Sequence, residues 1–124
     1  MRMLSLAAFA AALIFTLVMA WLPTPPAMPL GEEDKLWHVI AFATLSVLAS
    51  LAFPAARLLR IGERLSFLGA LIEVVQSIPA LHRDCDIRDW VADTIAVAAA
   101  LAIVAAVRRL RRREAAAPAP EERI

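Results

Sequence analysis

Three groups of ionisable or amide side chains interrupt otherwise apolar runs in this 124-residue chain. The first is Asp34-Lys35-Leu36-Trp37-His38. Asp34 and His38 are four apart and share one helical face, and Asp34 also suits a helix N-terminus, where a carboxylate accepts free N–H groups. The second pair, Glu73 and Gln76, is three apart and adjacent on one face. The third group is Arg83, Asp86, Asp89 and Asp93, whose aspartates follow i, i+3, i+7 spacing and line one stripe. Three carboxylates on a stripe repel one another unless cations answer them, and Lys35, His38, Arg83, Arg88 or a metal ion are the available answers. Glu73, His38 and Asp89 are the candidate catalytic groups, with Glu73 or His38 as a general base. Asp34, Lys35, Gln76, Arg83, Asp86 and Asp93 are the candidate ligand contacts, Lys35 and Arg83 suiting a phosphate or carboxylate. His38 with Glu73, Asp89 and Asp93 also offers nitrogen and oxygen ligands to a divalent cation.

Each of these groups has a plainer explanation. Asp34 reads equally well as a cap, His38 as a satisfied hydrogen-bonding residue, and Trp37 as an interface anchor. Glu73 can be a structural tie to Arg83 or His38, and one of Asp86 and Asp89 can be the cap of the last helix. Asp84 and Cys85 carry no assigned role, because a lone thiol beside acids gives no reason for a lowered pKa.

The elements that must position these residues are membrane helices. Hydrophobic residues make up 61% of the chain and mean hydropathy is +0.69, against roughly 45–50% apolar in soluble domains. A bilayer core about 30 Å thick needs about 20 apolar residues per helix. Runs at about 4–22, 36–53, 65–81 and 90–107 meet that need, so the fold class expected is all-α, a four-transmembrane-helix bundle over residues 1–107. Residues 108–124 read as a basic stretch followed by a disordered Ala/Pro/Glu tail. Orientation follows from lysine and arginine placement. With both termini inside, the inner side holds ten of these residues and the outer side three, Lys35, Arg83 and Arg88. This predicts a multi-pass protein of the cytoplasmic (inner) membrane, N-in and C-in. The competing reading of 4–22 is a signal peptide with Arg2 as its basic start and Val18-Met19-Ala20 as a loose cleavage site, but the apolar run exceeds the usual 7–15 residues of that element.

In this order and on these helices, the three groups resemble the VanZ-like membrane protein family. The pattern resembled is Asp-Lys-x-x-His opening one helix, Glu-x-x-Gln late in the next, then Arg and Asp-x-x-x-Asn at the last. It is matched here by Asp34, Lys35 and His38, by Glu73 and Gln76, by Arg83, and by Asp89. The resemblance covers about residues 34–96. Asp93 stands in place of the asparagine, Ala96 in place of a following glycine, and His82 in place of a glycine before the arginine. The family takes its name from a glycopeptide-resistance accessory protein, so the resemblance implies a cell-envelope role in bacteria without specifying a reaction.

Three functions follow for comparison: an outward-facing site for a polar, lipid-linked or glycopeptide-related envelope molecule, a divalent-cation site without catalysis, and a structural or partner-docking role. Membrane lipids are the expected surroundings. Gly-rich phosphate loops, GxSxG, HExxH and CxxC motifs are absent from the sequence. The arginine run 108–113 directly after a span reads as a topology anchor on anionic lipid, not as a nucleic-acid surface.

Overall fold

A computed structural model describes residues 1–22, 34–81 and 85–117. Among these the regular structure is helical: α1 (Arg2–Trp21), α2 (Asp34–Ala52), α3 (Leu58–Gln76) and α4 (Ile87–Ala116), with a short 3₁₀ turn at Pro79–Leu81. Pro54 stops α2, since it has no N–H to donate and disfavours helical geometry before it. Ala56 N donates to Phe53 O across the turn at 3.0 Å, and Arg57 caps α3 in extended conformation. At the other end of α3, Ser77 closes the last turn through Glu73 O at 3.0 Å, and Pro79 bars continuation.

The helices alternate in direction. Contacts described below join the end of α1, the start of α2, the end of α3 and the start of α4. α2 packs chiefly on α4 and α1, and α3 on α4. The core is built from one stripe per helix at helical spacing. On α2 it is Phe42, Leu45 and Ala49; on α3 it is Ile61, Leu65, Gly69 and Ile72; on α4 it is Ala96, Val97, Ala100 and Leu101. α1 is peripheral, burying Ala20 fully and resting Phe9, Ala12, Leu13 and Leu17 against the core. Phe9 also meets Phe53 edge-on, with ring centroids 5.6 Å apart.

Outside the stripes the surface is apolar too, with Ile14, Phe15, Phe67, Val74, Ile95 and Ile103 all exposed. Helices apolar on every face suit a membrane span or the interior of a larger assembly. α1, α2 and α4 are long and apolar enough to cross a membrane. α3 matches α2 in length at 19 residues, but carries Arg60, Glu63 and Arg64 near its start and Glu73 near its end.

Two expected boundaries change. The third segment is helical from Leu58 to Gln76, not over 65–81: the turn at Pro54 lets the helix begin with charged turns, and Pro79 ends it early. The fourth helix does not stop at 107. It continues through the arginines to Ala116, so the basic stretch is helical. Arginine is a good helix former, and Arg113 in the last turn complements the helix dipole. Of the Ala/Pro/Glu tail expected to be disordered, 114–116 are helical, and 118–124 lie outside the described residues.

Candidate functional site

At one end of the bundle the core stripes change character. The stripe on α2 continues upward from Phe42 to His38, that on α3 from Gly69 to Glu73 and Gln76, and that on α4 from Val97 to Asp93. Helical spacing forces the polar side chains into the interior, because each stands three or four residues beyond a core residue. Asp93 is 0% exposed, Gln76 2% and Glu73 6%.

The pairings are specific. His38 Nδ1 lies 3.4 Å from Asp93 Oδ2, joining α2 to α4. One turn outward, Lys35 Nζ lies 3.3 Å from Asp89 Oδ1, at a more exposed position. Asp86 is the cap of α4, accepting from Arg88 N at 2.9 Å. Its own backbone N–H donates to Glu73 Oε2 at 3.1 Å, which binds the start of α4 to the end of α3. Gln76 Nε2 donates to Ala20 O at 2.9 Å and so holds the end of α1.

The expected stripe of three aspartates is therefore divided among three tasks. Asp86 caps, Asp89 meets lysine, and Asp93 meets histidine. Glu73 is tied to the backbone at Asp86; its hydrogen bond goes neither to His38 nor, among the described residues, to any cation. Arg83 and the side chain of Asp34 lie outside what is described. Trp37 departs from the role of a wet interface anchor. Its indole N–H is buried and has no acceptor among the described residues.

Glu73 Oε1 and Asp93 Oδ1 are likewise buried without a hydrogen-bond partner among the described residues. Buried polar atoms of this kind are uncommon, and each calls for a partner such as a water, an ion or a ligand. Among the described residues no group of three or more His, Cys, Asp or Glu side chains is placed to hold a metal ion. Cys85 is exposed, and desolvation, with Glu73, Asp86 and Asp89 nearby, holds its thiol above the usual value. That leaves little thiolate for nucleophilic chemistry.

Sequence reasoning passed over the supports of this site. Gly69 makes room for it: a Cβ there would stand 3.4 Å from Trp90, 3.5 Å from Phe42 and 3.7 Å from Asp93 Oδ2. Trp90 Nε1 donates to Ser66 O at 3.0 Å, and Ser66 and Thr94 share a 2.9 Å hydroxyl contact. The available signal was the alignment of Ser66 and Gly69 with the polar end of α3, which is visible only once Asp93 is known to face them. Comparison with family models, with curated proteins and with solved structures finds no match for the chain.

Proposed function

We propose that the chain is a VanZ-like integral membrane protein of four spans, with both termini on the cytoplasmic side of a bacterial inner membrane. In this reading its outward-facing end binds, or acts on, the polar part of an envelope molecule that is lipid-linked or glycopeptide-related. Alternating helices, three of them long and apolar enough to span, support the membrane assignment. The fourth span is α3, which at 1.5 Å per residue is about 28 Å long and whose charged first turns fall at the arginine-rich end. Arginines 57, 60 and 64 and the run 108–113 share that end, which by the positive-inside rule is the cytoplasmic one.

One observation carries the functional part: His38, Glu73 and Asp93, remote in sequence, converge inside the bundle with carboxylate oxygens left open. Charged groups at membrane depth cost about 2.5–3.5 kcal/mol each on insertion scales, and they mark functional sites. Replacing Glu73→Gln and His38→Ala tests the reading. At unchanged membrane levels both variants are expected to shift sensitivity to envelope-targeting antibiotics. Wild-type sensitivity in both would remove the envelope role.

A structural role is favoured for one residue. Gln76 donates one amide N–H to Ala20 O at 2.9 Å and so ties the end of α3 to α1. It is a brace.

A further inference from the structure

Glu73 and His38 are the two candidate bases of the outward end, and their surroundings separate them. Glu73 Oε2 accepts the Asp86 N–H that joins α4 to α3, and its other oxygen is buried. A ligand reaches that carboxylate only by parting the two helices. His38 keeps 15% of its side chain exposed, against 1% for Asp93. Its Nδ1 faces Asp93 Oδ2 at 3.4 Å, so Nε2, on the far edge of the ring, faces away from the carboxylate. Among the described residues Nε2 has no hydrogen-bond partner, and it is not one of their buried unpartnered atoms. It is open.

The carboxylate decides which nitrogen carries the proton. A carboxyl is a stronger acid than an imidazolium, so a proton shared by Asp93 and His38 belongs to the ring. An ionised carboxylate only accepts, which makes Nδ1 the donor. In a neutral imidazole the other nitrogen then holds a lone pair. Asp93 Oδ1 is bare, so among the described residues His38 alone answers this carboxylate. Lys35, the chain's single lysine, is committed to Asp89 one turn outward. The setting is apolar. The point beside Gly69 that lies 3.7 Å from Asp93 Oδ2 is 3.4 Å from Trp90 and 3.5 Å from Phe42, and such surroundings strengthen a hydrogen bond to a charge. A buried carboxylate placed in this way fixes the tautomer and orientation of the ring, and it stabilises the imidazolium that forms when Nε2 takes a proton.

Resting on the envelope-site reading above, we propose that His38 is the base of that site through Nε2. Asp93 is then a positioning residue and not a ligand contact, and the ligand presents a hydrogen-bond donor to Nε2.

The test has two parts, both on the full chain. The first is nitrogen NMR of isotope-labelled histidine in detergent, with His82→Gln leaving a single ring to observe. At pH about 8, above the usual histidine range, Nδ1 is expected to carry the proton and Nε2 to give the signal of a bare nitrogen. In Asp93→Leu the proton is expected to move to Nε2 and that signal to be lost. A protonated Nε2 in the wild type overturns the proposal, whether the pair is then an imidazolium carboxylate or a neutral acid. Should Asp93→Leu fail to fold, the wild-type spectrum decides alone.

The second part separates a base from a structural tie. His38→Asn puts an amide N–H near the place of Nδ1, so it keeps a donor to Asp93 and has no base. It is expected to melt with the wild type, yet to shift sensitivity to envelope-targeting antibiotics as far as His38→Ala does. A shift in His38→Ala with wild-type sensitivity in His38→Asn keeps the envelope site and overturns the base. Wild-type sensitivity in both removes the envelope role itself, and the proposal with it. Should His38→Asn melt with His38→Ala, the tie is lost in both and the tautomer decides.

Discussion

The two ends of this bundle carry opposite charge and treat it in opposite ways. At one end Arg57, Arg60, Arg64, Arg109, Arg111, Arg112 and Arg113 are exposed, each free to be solvated. Arg108 turns back, donating to Ser50 O at 2.7 Å and so satisfying a carbonyl at the C-terminus of α2. At the other end His38, Glu73 and Asp93 point inward, His38 meeting Asp93 and Glu73 a backbone N–H, with two acceptors left over. Solvated charge tolerates substitution and sets orientation by its sum. Buried charge depends on each partner by name. The difference teaches where a ligand is to be sought.

The largest effect expected is on orientation. Replacing the arginines of α3 and of the 108–113 run by glutamine removes the lysine/arginine bias, and reporter fusions at the C-terminus should then report mixed orientation. A chain that keeps a single orientation would break the assignment of that end to the cytoplasm. At the opposite end, Asp93→Leu strips His38 of its partner inside the core. A loss of about 1–3 kcal/mol is expected for a buried group left unpaired, read by thermal unfolding in detergent. Stability at wild-type level would show that the two ends do not differ as described. A smaller change follows from Gln76→Leu, which abandons Ala20 O. Interhelical hydrogen bonds in membranes contribute about 0.6 kcal/mol on average, up to about 1.7. The effect should fall on α1 alone, read as faster proteolysis between residues 1 and 22 with α2–α4 protected. The smallest is Lys35→Gln. Its ion pair with Asp89 is half exposed on the lysine side, and such pairs contribute about 0–1 kcal/mol. A larger loss would move Lys35 into the buried class.

Much of this was legible in the sequence. The all-helical class followed from the apolar runs, and Lys35 and His38 stood among the cations able to answer the aspartates, although which aspartate each meets came only from the structure. That one of Asp86 and Asp89 would cap α4 was also readable, because a cap needs only local geometry. Which one was settled by the helix starting at Ile87. The partner of Glu73 was not legible. It is a backbone N–H, and backbone donors leave no signature in residue types. Gly69 escaped for a related reason. Its contribution is an absence of atoms, and what that space admits depends on which helix lies opposite. The ends of α3 shifted because a count of apolar residues locates lipid contact, whereas Pro54 and Pro79 locate the helix.

The contact between His38 and Asp93 spans 55 positions of the chain. Ribosomes extend a chain at about 5–20 residues per second, so histidine is made some 3–11 s before its carboxylate. During that interval the second helix has a polar group with nowhere to go, and settles only when the last helix arrives. A nascent chain truncated before residue 93 lacks that closure altogether. The pair therefore closes only in a chain that carries both helices.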